Sequence, residues 1–492
     1  MIKYLVETTV PETACLAVPL WEGKNFEPLL KQVHKEQRVF LKQIVQNTDF
    51  EGKKLQTVFL YTNIKRLPRI LLLGLGKEKD FNIKIWKQVA GSAATTVQSK
   101  KLDRFIFLIP QKVLSAFGPK KAGTETVCAL SLAEYIFDTY KEKESRETRI
   151  EHIGLLLDLD QSSRKNFEKG MEEGIKISEA VNLVRSLGNM SPSEMIPERL
   201  ASEALKIAKS EPALSAKILS EPEIKKLGMG CFLGVSSGSQ HEAKFIIFEY
   251  RGTKKTERST VLIGKGITFD SGGLSIKPSD FMCDMKYDML GAATMMGVMK
   301  AAASLGLKRN LIGLAPVCEN MPGSKAYRPD DILRAMNGKT VEVKNTDAEG
   351  RLILADALCY AKRYNPKEVL DLATLTGACM VALGLERSGL FSPEDSMAEK
   401  LYHCSQTVGE ELWRLPLGEE YTEMMKSDVA DIANISKGRY GGASSGAAFL
   451  EFFVDYPWAH IDMASAYMRE PKPWIRLGAN GFGVQTLVEY LR

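Results

Sequence analysis

The first third of the chain alternates short apolar runs with longer stretches in which apolar residues recur at helical spacing. The apolar runs predict strands and the periodic stretches predict helices. The predicted strands are Thr57–Tyr61, Arg69–Leu73, Phe105–Ile109 and Ile153–Leu157, and the predicted helices are Lys84–Thr96 and Ser131–Lys141. Strands that alternate with helices are typical of an α/β domain. The chain becomes polar around Asp158–Lys165, so we expect this smaller N-terminal domain to span residues 1–160.

A long helical pattern over Phe167–Leu187 follows, and we interpret it as a connector helix. A second alternation lies beyond it. Strands are predicted near 246–250, 261–267, 311–317 and 367–373, and helices near 194–209, 289–304 and 352–364. The sequence therefore predicts a larger C-terminal α/β domain over residues 161–492, beginning with the connector helix.

Composition places the chain among ordinary soluble proteins. It has 492 residues, of which 44% are hydrophobic and 26% are charged, and that length favours two domains over one. The longest apolar runs are too short to span a membrane, and the N-terminal residues lack the pattern of a secretory signal. The eight cysteines are scattered without a Cys-x-x-Cys pair, so we expect a reducing cytoplasmic location and no disulfide framework.

The formal charge of +5 is concentrated in the N-terminal third. Residues 1–160 hold 25 Lys and Arg against 19 Asp and Glu, whereas the rest of the chain holds 41 against 42. A solvated, slightly basic surface accounts for this excess. Binding of nucleic acid is the alternative interpretation, and the lack of aromatic residues among the basic ones argues against it.

The segment from Asn345 to Leu352 carries the strongest chemical signal. If the backbone is extended there, Asn345, Asp347, Glu349 and Arg351 all point to one side, because strand side chains alternate with a period of two. Two carboxylates on one buried face need compensating charge. An apolar helical pattern follows directly, so the sequence predicts a site at a strand-to-helix corner.

Further acidic and basic residues lie upstream in glycine-rich or apolar segments. Lys265, Asp270 and Lys277 follow the predicted strand Thr260–Ile263, and Asp288 stands where a helical pattern begins. Taken one at a time, such aspartates are usually helix caps and such lysines usually lie exposed in turns. Together, the four acids carry a charge of −4, which two divalent cations would neutralise.

These segments resemble the leucine (cytosol) aminopeptidase family. The resemblance covers about residue 165 to the C-terminus. It is carried by Lys265–Pro278, Met285–Ala293, Asn345–Leu352, Asp371–Cys379, Trp458–Asp462 and Gly481–Val484. It implies an α/β/α catalytic domain with a central mixed sheet, a cytoplasmic two-metal aminopeptidase that prefers leucine-like N-terminal residues, peptide substrates with a free N-terminus, and a homohexamer.

The resemblance also implies a role for each matching residue. Lys265, Asp270, Asp288 and Glu349 would hold one metal, and Asp270, Asp347 and Glu349 the other, with Mn²⁺ or Zn²⁺ bound. A hydroxide bridging the metals would attack the scissile carbonyl, Lys277 would stabilise the oxyanion, and Arg351 would anchor a bicarbonate ion that shuttles the proton. Met285, Thr374 and Gly377, together with Lys277, would contact the substrate.

One position departs from the family pattern. The family usually has Arg-Pro-Gly-Asp where this chain has Arg328-Pro329-Asp330-Asp331, so we expect an altered turn at Asp330 before the site. A two-metal phosphoesterase is the alternative enzyme class, since it uses similar carboxylates. The lysine ligand and the complete Asn345–Leu352 segment argue against it.

Overall fold

A computed structural model describes residues 2–23, 43 and 49–492 of the protein. Within them the chain divides into two compact units, residues 1–179 with 470–477 and residues 180–469 with 478–492. The division falls inside the helix Gln161–Asn189. The helix begins next to the boundary expected near residue 160, whereas the two units divide after Glu179.

The N-terminal unit is built on a six-stranded sheet. Its strands are β1 (Lys3–Glu7), β2 (Leu16–Trp21), β3 (Thr57–Tyr61), β4 (Arg69–Gly76), β5 (Arg104–Leu108) and β6 (His152–Leu156), and its helices are α1 (Ile83–Ser99), α2 (Gln111–Phe117) and α3 (Pro119–Glu134). The strand order is β1-β6-β5-β2-β4-β3, and every pair is parallel except β3 with β4. Buried apolar clusters line both faces of this sheet, as expected for parallel strands.

The predicted helix Ser131–Lys141 is wrong. The helix there is α3, which starts at Pro119 and ends at Glu134. Proline is well tolerated in a first helical turn, where its missing N–H is not needed. Small residues of α3, including Ala122, Ala129 and Ala133, are buried in the cluster that also holds α1, and tertiary packing has overridden the local pattern.

Helix α4 (Gln161–Asn189) leads into the C-terminal unit, which contains a nine-stranded mixed sheet. Its strands are β7 (Leu214–Leu219), β8 (Lys244–Arg251), β9 (Thr260–Gly264), β10 (Gly266–Asp270), β11 (Asn310–Asn320), β14 (Glu368–Ala373), β15 (Ser388–Phe391), β16 (Leu412–Arg414) and β18 (Trp458–Asp462). Strands β9, β10, β11, β14 and β18 run parallel, and β7, β8 and β15 add antiparallel pairs. The predicted fold class, with its central mixed sheet, is confirmed.

The remaining elements of this unit are shorter strands and the helices around the sheet. The small strands are β12 (Ile332–Arg334), β13 (Thr340–Glu342), β17 (Ile432–Ala433), β19 (Tyr467–Met468) and β20 (Gly478–Ala479). The helices are α5 (Pro197–Ser210), α6 (Glu221–Lys226), α7 (Gly230–Ser236), α8 (Ser279–Met282), α9 (Leu290–Leu305), α10 (Glu349–Ala361), α11 (Gly377–Leu383), α12 (Asp395–Val408), α13 (Glu419–Glu423), α14 (Gly442–Glu451) and α15 (Val484–Leu491). Among the described residues, no helix is both long and apolar enough to cross a bilayer.

Asp330, which replaces the glycine usual in the family, lies in a turn that favours glycine. Asp330 has a φ of 72°, in the left-handed region that residues with a side chain rarely adopt. Its backbone N–H donates to the Val343 carbonyl at 2.6 Å, and its carboxylate lies 3.2 Å from Lys344 Nζ. The turn is therefore formed, at the cost of backbone strain at one residue.

Candidate metal centre

The predicted site residues of the C-terminal unit meet at the carboxyl ends of neighbouring parallel strands. Lys265 follows β9, Asp270 ends β10 and Thr374 follows β14. Strand β9 lies between β11 and β14 in the sheet. Ligand sites of open α/β sheets lie at this edge, because loops from several strands converge there.

The segment carrying Asp347, Glu349 and Arg351 is not extended, so the hypothesis of alternating side chains is wrong. Helix α10 begins at Glu349. Before it, the backbone N–H of Asp347 donates to Asn345 Oδ1 at 2.8 Å, which closes a turn. Polar residues at every second position fit an extended strand, but they also fit a turn that leads into a helix. This segment forms the turn. The predicted corner exists, and Asn345 shapes it by accepting the Asp347 N–H.

Three carboxylates from separate segments converge at this corner. Oxygen atoms of Asp270, Asp347 and Glu349 all lie within 4.8 Å of one another. Lys277 Nζ lies 2.8 Å from Asp270 Oδ2 and 2.5 Å from Asp347 Oδ1. The glycines at positions 272 and 273 have φ values of 85° and 63°, and their backbone lets the loop fold back so that the Gly272 N–H donates to Asp270 Oδ1 at 2.9 Å.

Lys265 links Asp288, the fourth acid, to the three converging carboxylates. Its Nζ lies 2.8 Å from Asp288 Oδ2, 2.8 Å from Glu349 Oε1 and 3.0 Å from the Thr374 carbonyl oxygen. Thr374 Oγ1 donates to Asp288 Oδ1 at 2.8 Å. Lys265 is only 2% exposed, so the alternative of an exposed turn lysine does not apply.

Asn320, which the sequence did not single out, ties two of the acidic segments together. Its Nδ2 donates to Asp270 Oδ1 at 2.8 Å and to the Thr346 carbonyl at 2.9 Å. Tyr327 also donates to that carbonyl, at 2.7 Å. Asn320 is the last residue of the wholly buried strand β11. Since a buried amide needs specific hydrogen-bond partners, an asparagine at this position could have indicated a site.

Burial and mutual repulsion dominate the electrostatics of the acids. Both raise the pKa of Asp270, to about 6, and raise the pKa of Asp288 well above its usual value. Burial would also raise the pKa of Glu349, but Lys265 and Lys277 outweigh it and the net direction is downward. Burial alone would lower the pKa of Lys265, and the adjacent Asp288 and Glu349 reverse this.

Arg351 lies beside this cluster on the first turn of α10 and is 8% exposed. Its Nη1 donates to the Asn434 carbonyl at 2.9 Å. Burial lowers its pKa to about 10, which leaves the guanidinium charged at neutral pH. Its Nε has no hydrogen-bond partner within the described part of the chain, so one buried donor remains available to an anion.

The three other predicted substrate positions lie in two segments at the same edge. Met285 is half-buried on a short 3₁₀ helix that ends just before Asp288. Thr374 contacts Asp288 and Lys265 as described above. Gly377 is exposed at the start of α11, and a side chain added there would meet no atom within 4 Å.

The donor set fits divalent cations. Four carboxylates face two lysine ammonium groups, so negative charge is in excess in a buried site. Glu349 Oε2 is buried without a hydrogen-bond partner among the residues described. Carboxylate oxygens suit Mg²⁺, Mn²⁺ or Zn²⁺. A cation bound there would compete with both ammonium groups, and Lys265 could then act only as an uncharged amine.

Comparisons with known proteins agree over nearly the whole chain. The model for the catalytic domain of the cytosol aminopeptidase family matches residues 182–488, and the model for its N-terminal domain matches residues 17–144. A probable cytosol aminopeptidase of Roseiflexus castenholzii is 41% identical over 488 residues, covering 98% of this chain and 96% of the relative. A cytosol aminopeptidase of Vibrio cholerae serotype O1 is 39% identical, covering 100% of this chain and 98% of the relative.

Solved structures give the same result. A mutant of tomato leucine aminopeptidase has a TM-score of 0.88 and 33% identity, covering 100% of this chain and 96% of that chain. The bottromycin maturation enzyme BotP, in complex with Mn, has a TM-score of 0.83 and 29% identity, covering 97% of this chain and 98% of that chain.

Proposed function

This chain belongs to the cytosol aminopeptidase family, and we propose that it uses two divalent cations to remove leucine-like residues from the N-termini of peptides. Membership makes it a metallo-aminopeptidase, and the phosphoesterase alternative is wrong. The observation that carries the proposal is the convergence of the Asp270, Asp347 and Glu349 carboxylates within 4.8 Å, with Lys265 against Glu349.

In this proposal Lys265, Asp270, Asp288 and Glu349 hold one cation, and Asp270, Asp347 and Glu349 hold the other. The carboxylate oxygens and the amine are the donor types that Mn²⁺ and Zn²⁺ accept. Bound cations of this kind would activate a water molecule and polarise the scissile carbonyl. Mn²⁺ is the first metal to test, because the BotP structure is described as a complex with Mn.

Lys277 stabilises the negative charge that develops on the carbonyl oxygen during attack. Its ammonium group is held by two acids and its side chain is 14% exposed, so it lies at the border between the buried cluster and solvent. Asp270 and Asp347 raise its pKa against the effect of burial, and it remains a cation at neutral pH. A fixed positive charge in a water-poor site acts more strongly on an oxyanion than the same charge in bulk water.

Arg351 anchors a bicarbonate ion that relays the proton. The free buried Nε–H and the charged guanidinium suit a planar oxyanion. Asn434 holds the other end of the guanidinium through its carbonyl, so the group is oriented before the anion binds. The N-terminal side chain of the substrate packs near Met285, Thr374 and Gly377, where a flexible apolar methionine and an open glycine suit a leucine-like group.

The wider biological assignments rest on the family. We place the enzyme in the cytoplasm, consistent with relatives named cytosol aminopeptidases, and as a homohexamer. Nucleic-acid binding by the basic N-terminal third stays a weaker prediction. It would require an affinity that falls steeply with salt.

The test compares two substrates before and after metal removal. The purified protein is treated with a chelator, dialysed, and reloaded with Mn²⁺ or Zn²⁺ while metal content is measured. We expect leucine p-nitroanilide hydrolysis to disappear on chelation and return with about two metal ions per chain. N-acetyl-leucine p-nitroanilide is the matched control, because its blocked amine should prevent turnover. Full activity in the metal-free protein, or equal turnover of the acetylated substrate, would contradict the proposal.

A further inference from the structure

Asp462 is a buried acid that the proposed reaction does not use. It ends strand β18 and is 1% exposed. Its Oδ1 accepts the backbone N–H groups of Leu375 and Thr376 at 3.1 and 3.3 Å, and its Oδ2 accepts the Thr376 hydroxyl at 2.7 Å. One carboxylate therefore receives three donors from a single two-residue segment.

The same short loop contacts the metal cluster from its other side. The Thr374 carbonyl accepts from Lys265 Nζ at 3.0 Å, and the Thr374 hydroxyl donates to Asp288 Oδ1 at 2.8 Å. Asp462 therefore holds Leu375 and Thr376, and the adjacent Thr374 contacts the two proposed ligands Lys265 and Asp288.

The loop needs this support because it leaves the sheet there. Ala373, the last residue of β14, is paired with Asp462 in the parallel register, and its carbonyl accepts the Met463 N–H at 2.7 Å. Beyond Ala373 the backbone N–H groups have no strand partner, and buried N–H groups left unpaired are costly. Asp462 accepts two of them, and the Thr376 hydroxyl then caps helix α11 by accepting the Cys379 N–H at 3.0 Å.

We propose that Asp462 is a positioning residue for metal binding, which fixes the loop 374–376 so that Thr374 directs Lys265 and Asp288 at the cation. An uncharged lysine amine has two N–H groups and one lone pair. A carbonyl that accepts one N–H restricts where the lone pair points, and outer groups of this kind orient ligands in metal sites. This inference rests on the proposed function, since it assumes that Lys265 is a ligand.

A purely structural role makes a different prediction, and the chain offers a matched control. Glu410 also accepts two backbone N–H groups, from Gly483 at 3.2 Å and from Thr486 at 3.0 Å. It accepts the Thr486 hydroxyl as well, at 2.6 Å. These bonds hold the start of helix α15. Removing either carboxylate should destabilise the fold to a similar extent, but only Asp462 should affect the metals.

The experiment measures Mn²⁺ affinity directly, by competition of the metal-stripped protein with a fluorescent chelator. We expect Asp462→Ala to weaken one of the two Mn²⁺ sites by about tenfold or more, and Glu410→Ala to leave both at wild-type affinity. Thr376→Val, which removes the hydroxyl, should follow Asp462→Ala, whereas Thr376→Ser should bind Mn²⁺ like the wild type. Thermal unfolding of each variant shows that it is folded. If Asp462→Ala does not fold, the Mn²⁺ affinities of Thr376→Val and Thr376→Ser test the same inference.

Two outcomes overturn the inference, and they can be told apart. If the wild-type protein binds two Mn²⁺ ions and the Asp462 and Thr376 variants bind both equally well, only the positioning role fails. If the wild-type protein binds neither Mn²⁺ nor Zn²⁺, the proposed function fails and this inference fails with it.

Discussion

Replacing Gly350 by alanine tests the position of Lys265 without replacing any proposed ligand. Gly350 is the second residue of helix α10, and its backbone is ordinary helix. A Cβ atom added there would stand 2.5 Å from Lys265 Cε, 2.6 Å from Nζ and 2.8 Å from Cδ. Lys265 is enclosed, and Asp288, Glu349 and the Thr374 carbonyl fix its end. The methyl group and the ammonium group cannot both keep these positions.

The size of the effect follows from these distances. Ordinary contact begins at 3.4 Å, so relieving the closest overlap needs a displacement of about 0.9 Å. Alanine gains roughly 0.5–1 kcal/mol over glycine in a helix, whereas overpacking a core costs about 1–3 kcal/mol. We therefore expect a modest net loss of stability. A displacement near 1 Å at a reacting centre can lower the rate by about 10²-fold.

The assay is kcat/KM for leucine p-nitroanilide at saturating Mn²⁺, with metal content and thermal unfolding measured in parallel. Gly313→Ala is the control, because its added Cβ would stand 2.5 Å from Met295 Sδ, an equal overlap against a flexible side chain of helix α9. Gly350→Ala should lose most of its activity and weaken Mn²⁺ binding, whereas Gly313→Ala should keep both, whatever stability each variant loses. Near wild-type kcat/KM in Gly350→Ala with full metal loading would refute the reasoning.

Four single side chains can be tested by substitution. Lys277→Ala should lower kcat by about 10²–10³-fold while both metals remain bound, and a rate close to wild type would exclude an oxyanion role. Arg351→Ala should likewise lose turnover at full metal occupancy. Arg351→Lys should recover only part of the kcat, because lysine lacks the planar Nε–H. An unchanged kcat in the alanine variant would remove the anion site from the mechanism. Burial raises the pKa of Asp356 to about 7, so the native state holds this proton more tightly than the unfolded state and loses stability as pH rises from about 4 to 7, by at most about 4 kcal/mol. The free energy of unfolding in urea should therefore differ less between pH 5 and pH 8 in Asp356→Asn than in the wild type. An identical difference in the two proteins would refute the assignment. Asp330→Gly should raise the free energy of unfolding by up to about 1 kcal/mol by removing the strain at φ 72°, and a loss of stability would show that the turn is not strained.

The sequence predicted most strands and the buried acidic cluster for the same reason. Apolar strands such as β9 and β14 are readable because both their faces are buried, and polar residues directly after them are conspicuous. Lys265 and Asp270 stood out in this way, and the structure brings them together with Glu349. Their roles as metal ligands stay predictions until metal binding is measured.

Features that depend on distant partners could not be read from the chain. The amide of Asn320 bonds Asp270 and Thr346, and the Asp462 carboxylate bonds Leu375 and Thr376. A single asparagine or aspartate at a strand end gives no indication of which loop it will meet. The turn at Asn345 was missed for a related reason, since caps and turns compete locally with extended structure.

The parallel pairing of β14 with β18 has a consequence for synthesis. Translation delivers Lys265, Asp288 and Glu349 well before Trp458–Asp462 emerges from the ribosome, because chains are made from the N-terminus. Until then β14 has an open edge on that side, and the loop after it lacks the carboxylate that orders it. A nascent or truncated chain that ends before Trp458 would therefore carry all five proposed ligands without the strand and the carboxylate that hold the loop after β14.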